Sequence, residues 1–203
     1  MRVVYCILIN FLSRRNMKKA ITLHAFSLSK RLAFTALFSA LCCIGTIVIV
    51  VPLPFGYFNA GDIFVLLSAW CLGPLYGSVS AAVGSALADI LSGYAIYAPA
   101  TFFIKGLDAF VAYMVWFFLK KCIRKEALDF VPRLLSAVAG ETVMVLGYFG
   151  YEWILYGLGG ATATVLGNIL QGVCGGLCAT AIVCILYSAK SVKQLFPALR
   201  VRH

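Results

Sequence analysis

Apolar runs long enough to cross a bilayer alternate with clusters of basic residues, and the clusters recur only after even numbers of runs. A helix needs about 17–25 apolar residues to cross the hydrocarbon. The sequence offers such runs at 32–53, 62–74, 75–92, 99–119, 134–153 and 161–188, the second being short. Arg2, Arg14, Arg15, Lys18, Lys19, Lys30 and Arg31 precede the first run. Lys120, Lys121, Arg124, Lys125 and Arg133 lie between the fourth and fifth, and Lys190, Lys193, Arg200 and Arg202 follow the sixth. Six crossings would bring all three clusters to one side, which the positive-inside rule makes the cytoplasm. The opposite connections, around 54–61, 93–98 and 154–160, hold no Lys or Arg. The expected fold is an all-α integral membrane protein, a six-transmembrane-helix bundle with N and C termini cytoplasmic, in the plasma membrane. The alternating ten-residue segments of a β-barrel are missing.

Composition agrees, since 63% hydrophobic and 12% charged residues with a mean hydropathy of +0.97 do not describe a soluble domain of this size. The net charge of +10 is sorted by side, which points to membrane orientation and away from nucleic acid. Within residues 1–16, the run Val3 to Leu12 is too short to span the bilayer and no cleavage site follows it. Met17-Lys18-Lys19 reads as the natural start, so 1–16 is read as a mis-assigned start, with an interfacial segment as the alternative. Residues 17–31 form a basic N-terminus, 32–188 the membrane domain and 189–203 a basic tail.

The eight cysteines lie mostly in or beside the spans and read as packing residues. Cys174 and Cys178 share a helix face, but no His or carboxylate at ligand spacing joins them, so no metal and no cofactor is expected. Small residues mark close helix approach. Gly73, Gly77, Ala81 and Ser85 form a stripe leading to Asp89, so the third helix is expected to be buried in the bundle. Ala36 and Ala40 form a patch on the first helix, and Gly172 and Gly176 another on the sixth.

Asp62, Asp89, Lys105 and Asp108 interrupt an otherwise apolar stretch. A charge at membrane depth is costly and usually faces a polar cavity or substrate path. Lys105 lies about six residues into its helix, roughly 9 Å deep. An internal pair with Asp108, or with Asp89, is the structural reading of that charge. On the fifth helix Glu141, Val145, Tyr148 and Glu152 extend one face. On the sixth, Asn168 and Gln171 share a face, either as interhelical hydrogen bonds or as amides reading a heteroaromatic ligand, the latter being favoured. The loop 52–62, with Asn59 and Asp62, reads as a lid. The 92–99 connection adds Tyr94 and Tyr97, which suit a small flat solute or an interfacial aromatic belt.

Gly56-Tyr57-Phe58-Asn59-Ala60-Gly61-Asp62, Leu72-Gly73-Pro74-Leu75-Tyr76-Gly77, Gly84-Ser85-Ala86-Leu87-Ala88-Asp89, Ala98-Pro99-Ala100-Thr101-Phe102, Ile104-Lys105-Gly106 and Gly167-Asn168-Ile169-Leu170-Gln171-Gly172 together resemble the substrate-capture (S) component of energy-coupling factor (ECF) transporters. The likeness covers about residues 30–188 and is to the riboflavin, pyridoxine, hydroxymethylpyrimidine and thiamine-precursor branch. It implies a vitamin-binding subunit without enzyme activity, docked on a membrane scaffold subunit driven by two ATP-binding-cassette subunits. It also implies that Ala36 and Ala40 face the scaffold. The outward pocket would be built by the first outer loop with helices four to six, and Asn59, Asp62, Tyr97, Lys105, Glu141, Tyr148, Asn168 and Gln171 are the expected substrate-binding residues. No Walker A motif occurs. An ion-coupled secondary transporter and a membrane enzyme using buried carboxylates are the alternatives.

Overall fold

The structure, a computed structural model, describes residues 27–53, 56–123, 129–189, 191–192 and 196, with backbone alone for 50–53 and 56–58. The readings of 1–16, and of most of the basic N-terminus and tail, lie outside the described residues. Helix α1 (Leu28–Val48) leads into strands β1 (Val50–Leu53) and β2 (Gly56–Asn59). Helices α2 (Gly61–Leu72), α3 (Pro74–Leu91), α4 (Ala98–Cys122) and α5 (Phe130–Ser188) follow. Four of these, α1, α3, α4 and α5, are long and apolar enough to cross a membrane, whereas α2 has only 12 residues.

A straight helix of 59 residues would be far too long for one crossing. The run breaks at Gly157, whose φ of 73° and ψ of 178° suit a residue without a Cβ. The arms on either side, 130–156 and 158–188, fold back on each other. Ala137 lies against Gly176, Glu141 against Gly172, and Glu152 bonds to Thr164. The expected 154–160 connection is therefore reduced to a kink.

The first apolar run does not stay helical to 53. Branched Val50 and Val51 disfavour helix, and Pro52 lacks the N–H that the next turn needs. β1 and β2 instead pair antiparallel, Val50 opposite Asn59 and Leu53 opposite Gly56. This hairpin corrects the expectation of helix throughout. The Ala60 N–H anchors it to α1 by donating to the carbonyls of Gly45 at 3.2 Å and Ile49 at 3.1 Å.

The most enclosed helix is α2, with Val65, Leu66, Ala69 and Trp70 fully buried. α3 is two-faced, which corrects the expectation that it is buried: Leu75, Val79 and Leu87 are exposed. Its small residues serve contacts on the inner face. A Cβ on Gly77 would lie 2.7 Å from backbone atoms of α2, and one on Gly84 would lie 2.3 Å from the Ser39 carbonyl oxygen of α1.

At the basic end, Arg133 Nε donates to Asp129 at 2.8 Å, and Lys120 Nζ lies 2.5 Å from the other carboxylate oxygen. The buried Arg133 guanidinium stands 5.6, 5.0 and 5.5 Å from the rings of Trp70, Trp116 and Tyr187, so one cation joins α2, α4 and both arms of α5. Burial pushes the Asp129 carboxyl up, but Arg133 and Lys120 outweigh it and hold it below its ordinary value of 3.8. Asp129→Asn should cost about 3 kcal/mol at neutral pH, because it strands two buried cations. A depressed carboxyl contributes fully above its ordinary value and loses that contribution as pH falls through its folded value. The stability gap between parent and variant should therefore hold at neutral pH and close only below about pH 4, as thermal melts across pH would show.

Candidate functional site

The opposite end of the bundle, where the β-hairpin, the α3–α4 turn and the Gly157 break meet, holds a cavity of about 940 Å³ counting the open space at its mouth. Each wall comes from a different element. Asn59 closes β2, Asp89 ends α3, Tyr94 and Tyr97 come from the turn, and Thr101 and Lys105 from the first turns of α4. Tyr148 and Glu152 lie on the first arm of α5, with Thr164, Asn168 and Gln171 on the second.

Hydrogen bonds fix the floor. Gln171 Oε1 accepts from Asn59 Nδ2 at 3.0 Å, while Gln171 Nε2 donates to Asp62 Oδ2 at 2.7 Å. Asn59 Oδ1 in turn accepts from the Gly61 N–H at 2.9 Å, tying the hairpin's end to the start of α2. Gly61 itself permits this turn, since a Cβ there would meet Thr46 Oγ1 at 2.1 Å. Lys105 donates to Asp62 Oδ1 and has its ammonium 5.8 Å from the Tyr148 ring centre. The expected pairing of Lys105 with Asp108 or Asp89 is thus replaced by one with Asp62, a residue 43 positions away that only the tertiary fold brings close.

The rim is aromatic and hydroxylic. Thr101 Oγ1 and Tyr148 Oη are 3.0 Å apart. Tyr97 Oη donates to Glu152 at 3.5 Å, and its ring meets Tyr151 edge-on at 5.6 Å. Burial, with Tyr156 and Glu152 alongside, pushes the Tyr97 hydroxyl well above its ordinary range, so it stays a donor. Asn168 makes no side-chain hydrogen bond among the described residues and faces the cavity with its amide free, as does Asp89 Oδ2.

Of the eight residues expected to bind substrate, Asn59, Tyr97, Lys105, Tyr148, Asn168 and Gln171 line the cavity together. Asp62 and Glu141 do not, and lie behind the floor. Residues outside that expectation also line it, among them Thr46, Ser85, Asp89, Thr101, Glu152 and Thr164. Asp89 and Ser85 carried a signal, as the end of the small-residue stripe on α3. Thr46 and Thr164 carried none, being single hydroxyls in apolar helices.

On α1, the patch faces outward. Thr35, Phe38, Ser39 and Cys42 point into the bundle, leaving Ala36 and Ala40 exposed beside Leu32, Leu37 and Ile44. Packing of the patch inside the chain is absent among the described residues.

Three comparisons bear on identity. The sequence model for "ECF-type riboflavin transporter, S component" matches residues 27–188. A Pyrococcus woesei protein described as "Uncharacterized protein in gap 3'region" is 40% identical over 132 residues, covering 64% of this chain and 83% of the relative. A solved structure of the S component of a bacterial ECF transporter shares the fold with a TM-score of 0.59 at 21% identity, covering 80% of this chain and 95% of that one. With a family match running from the start of α1 to the end of α5, the chain is a multi-pass plasma-membrane protein belonging to the ECF-type riboflavin transporter S component family, substrate-binding subunits of transporters.

Proposed function

We propose that the chain captures a small, flat, water-soluble vitamin or precursor, of the riboflavin, pyridoxine, hydroxymethylpyrimidine or thiamine class, and delivers it to an ECF importer. The observation that carries this reading is the convergence of three amides, an ammonium and three tyrosines on one cavity. Every lining residue but Gly167 carries a polar side-chain group, set beside apolar surface from rings and stems, which suits a water-soluble, ring-containing solute. Asn168 and Gln171 would read donors and acceptors on the ring edge, while Tyr97 and Tyr148 would flank it. Six crossings are proposed, α2 being the short one and each arm of α5 one crossing, with both termini cytoplasmic and the cavity facing outward. Sixteen basic residues on one side and base-free connections at the cavity end support that orientation. The exposed Ala36–Ala40 face would meet the scaffold subunit, and the energy would come from two partner ATPases.

Asn168 and Gln171 separate in a binding test. Asn168→Ala removes a group with no internal partner, so affinity should fall about tenfold to a hundredfold while the melting temperature stays put. Gln171→Ala should lower both, because it also releases Asn59 and Asp62. Native mass spectrometry would identify the co-purifying vitamin, which is then titrated by fluorescence of Trp153, the tryptophan next to Glu152. An Asn168→Ala protein that binds as tightly as its parent would remove the cavity from consideration.

A further inference from the structure

Behind the cavity floor, three helices bring one carboxylate each to a single point: Asp62 from α2, Asp108 from α4 and Glu141 from the first arm of α5. One oxygen from each lies within 4.8 Å of the other two. All three are buried, at 1%, 0% and 5% exposure. Asp62 is satisfied by Lys105 and Gln171. Asp108 and Glu141 are not: all four of their oxygens lack a hydrogen-bond partner among the described residues. Unpaired carboxylates at this depth are costly, so something absent from the protein chain must complete them.

We propose that this cluster holds a hard divalent cation of about calcium's size. The donor set consists of oxygen alone, which favours hard cations over softer metals. Three carboxylates facing one ammonium leave a charge of minus two, which a divalent ion cancels. Three oxygens at this spacing admit a centre no more than about 2.8 Å from each, within reach of calcium–oxygen bonds of 2.3–2.6 Å, whereas magnesium demands near-ideal octahedral geometry and gives up its waters reluctantly.

Glycines on the helices behind make the arrangement fit. A Cβ on Gly140 would stand 2.4 Å from Asp108 Oδ1. On Gly172 it would stand 3.1 Å from Glu141 Oε2, and on Gly175 3.0 Å from Asp62 Cβ. Any side chain at these positions would push the carboxylates out of convergence. The cluster adjoins the cavity through the bonds of Asp62 to Gln171 and Lys105, but its oxygens lie outside the cavity lining, so cation binding is testable without the vitamin.

The test uses the full-length purified protein, stripped with a chelator and melted at matched ionic strength in choline, sodium, magnesium or calcium chloride. Calcium should raise the melting temperature progressively with its concentration, magnesium much less and sodium hardly at all. Isothermal titration of the parent with calcium should give one saturable site. In an Asp108→Asn, Glu141→Gln double variant that response should vanish, and the variant without cation should melt at or above the cation-free parent. Three results would overturn the proposal: a calcium response that survives in the double variant, a shift with sodium and none with calcium, or no cation effect at all alongside stabilisation by acid. The last would mean that protons occupy the cluster. If the double variant does not fold, the calcium titration of the parent alone decides, and absence of a saturable site ends the proposal.

Discussion

Lys105→Met should destabilise the protein by about 3–5 kcal/mol, the range for removing one partner from a buried ion pair. Lys105 and Asp62 are 4% and 1% exposed, so water cannot replace the lost ammonium. The loss would also leave Asp62, Asp108 and Glu141 facing each other with no ammonium from the chain to offset them. Methionine keeps the length and apolar stem, so the change reports charge and hydrogen bonding more than volume. Adding Asp62→Asn should recover much of the loss, and the coupling from a double-mutant cycle measures the pair directly. Thermal melting of the four proteins, with chemical denaturation for the free energy, is the check. If Lys105→Met melts with its parent but fails to bind the vitamin, the lysine serves the ligand and the pair with Asp62 is incidental.

Ala40→Trp should abolish transport while leaving affinity for the vitamin nearly intact. The residue is exposed on α1, about 9 Å along that helix from Thr46, the α1 residue that lines the cavity. An indole there blocks the close backbone approach that small residues permit, yet displaces nothing among the described residues. Uptake is measured in vesicles holding the chain with co-expressed scaffold and ATPase subunits. Vesicles holding the chain alone should bind but not accumulate the vitamin. Unchanged uptake by Ala40→Trp, and by Ala36→Trp, would move the docking surface elsewhere.

Much of this architecture was written in period and charge. The break between the runs 62–74 and 75–92 falls at the α2–α3 junction, where Gly73 adopts φ 85° and Pro74 begins the next helix without needing its N–H. Depth and helical face singled out Lys105, Tyr148, Asn168 and Gln171, and the family resemblance joined them in one cavity. The hairpin at Val50–Asn59 was hidden because its apolar residues continue the run of α1, and only the prolines and branched valines told against helix. The partner of Lys105 was hidden for a different reason. Within α4, Asp108 is the near neighbour in sequence, but the packing of α2 brings Asp62 to the ammonium first. Glu141 shares a helix face with Tyr148, yet it sits two turns deeper and falls behind the cavity wall. Local spacing gives facing; it does not give depth across several helices.

The shortness of α2 sets how far a captured molecule has to go. Its 12 residues rise about 18 Å, against about 30 Å of hydrocarbon. Asn59, at the cavity floor, sits at its start, and Arg133, at the basic end, stands over Trp70 near its finish. The packed plug between the two is therefore little thicker than one short helix. A solute resting on Gln171 would lie about one short helix away from the basic end, with Trp70, Trp116 and Arg133 packed at the far side of that plug.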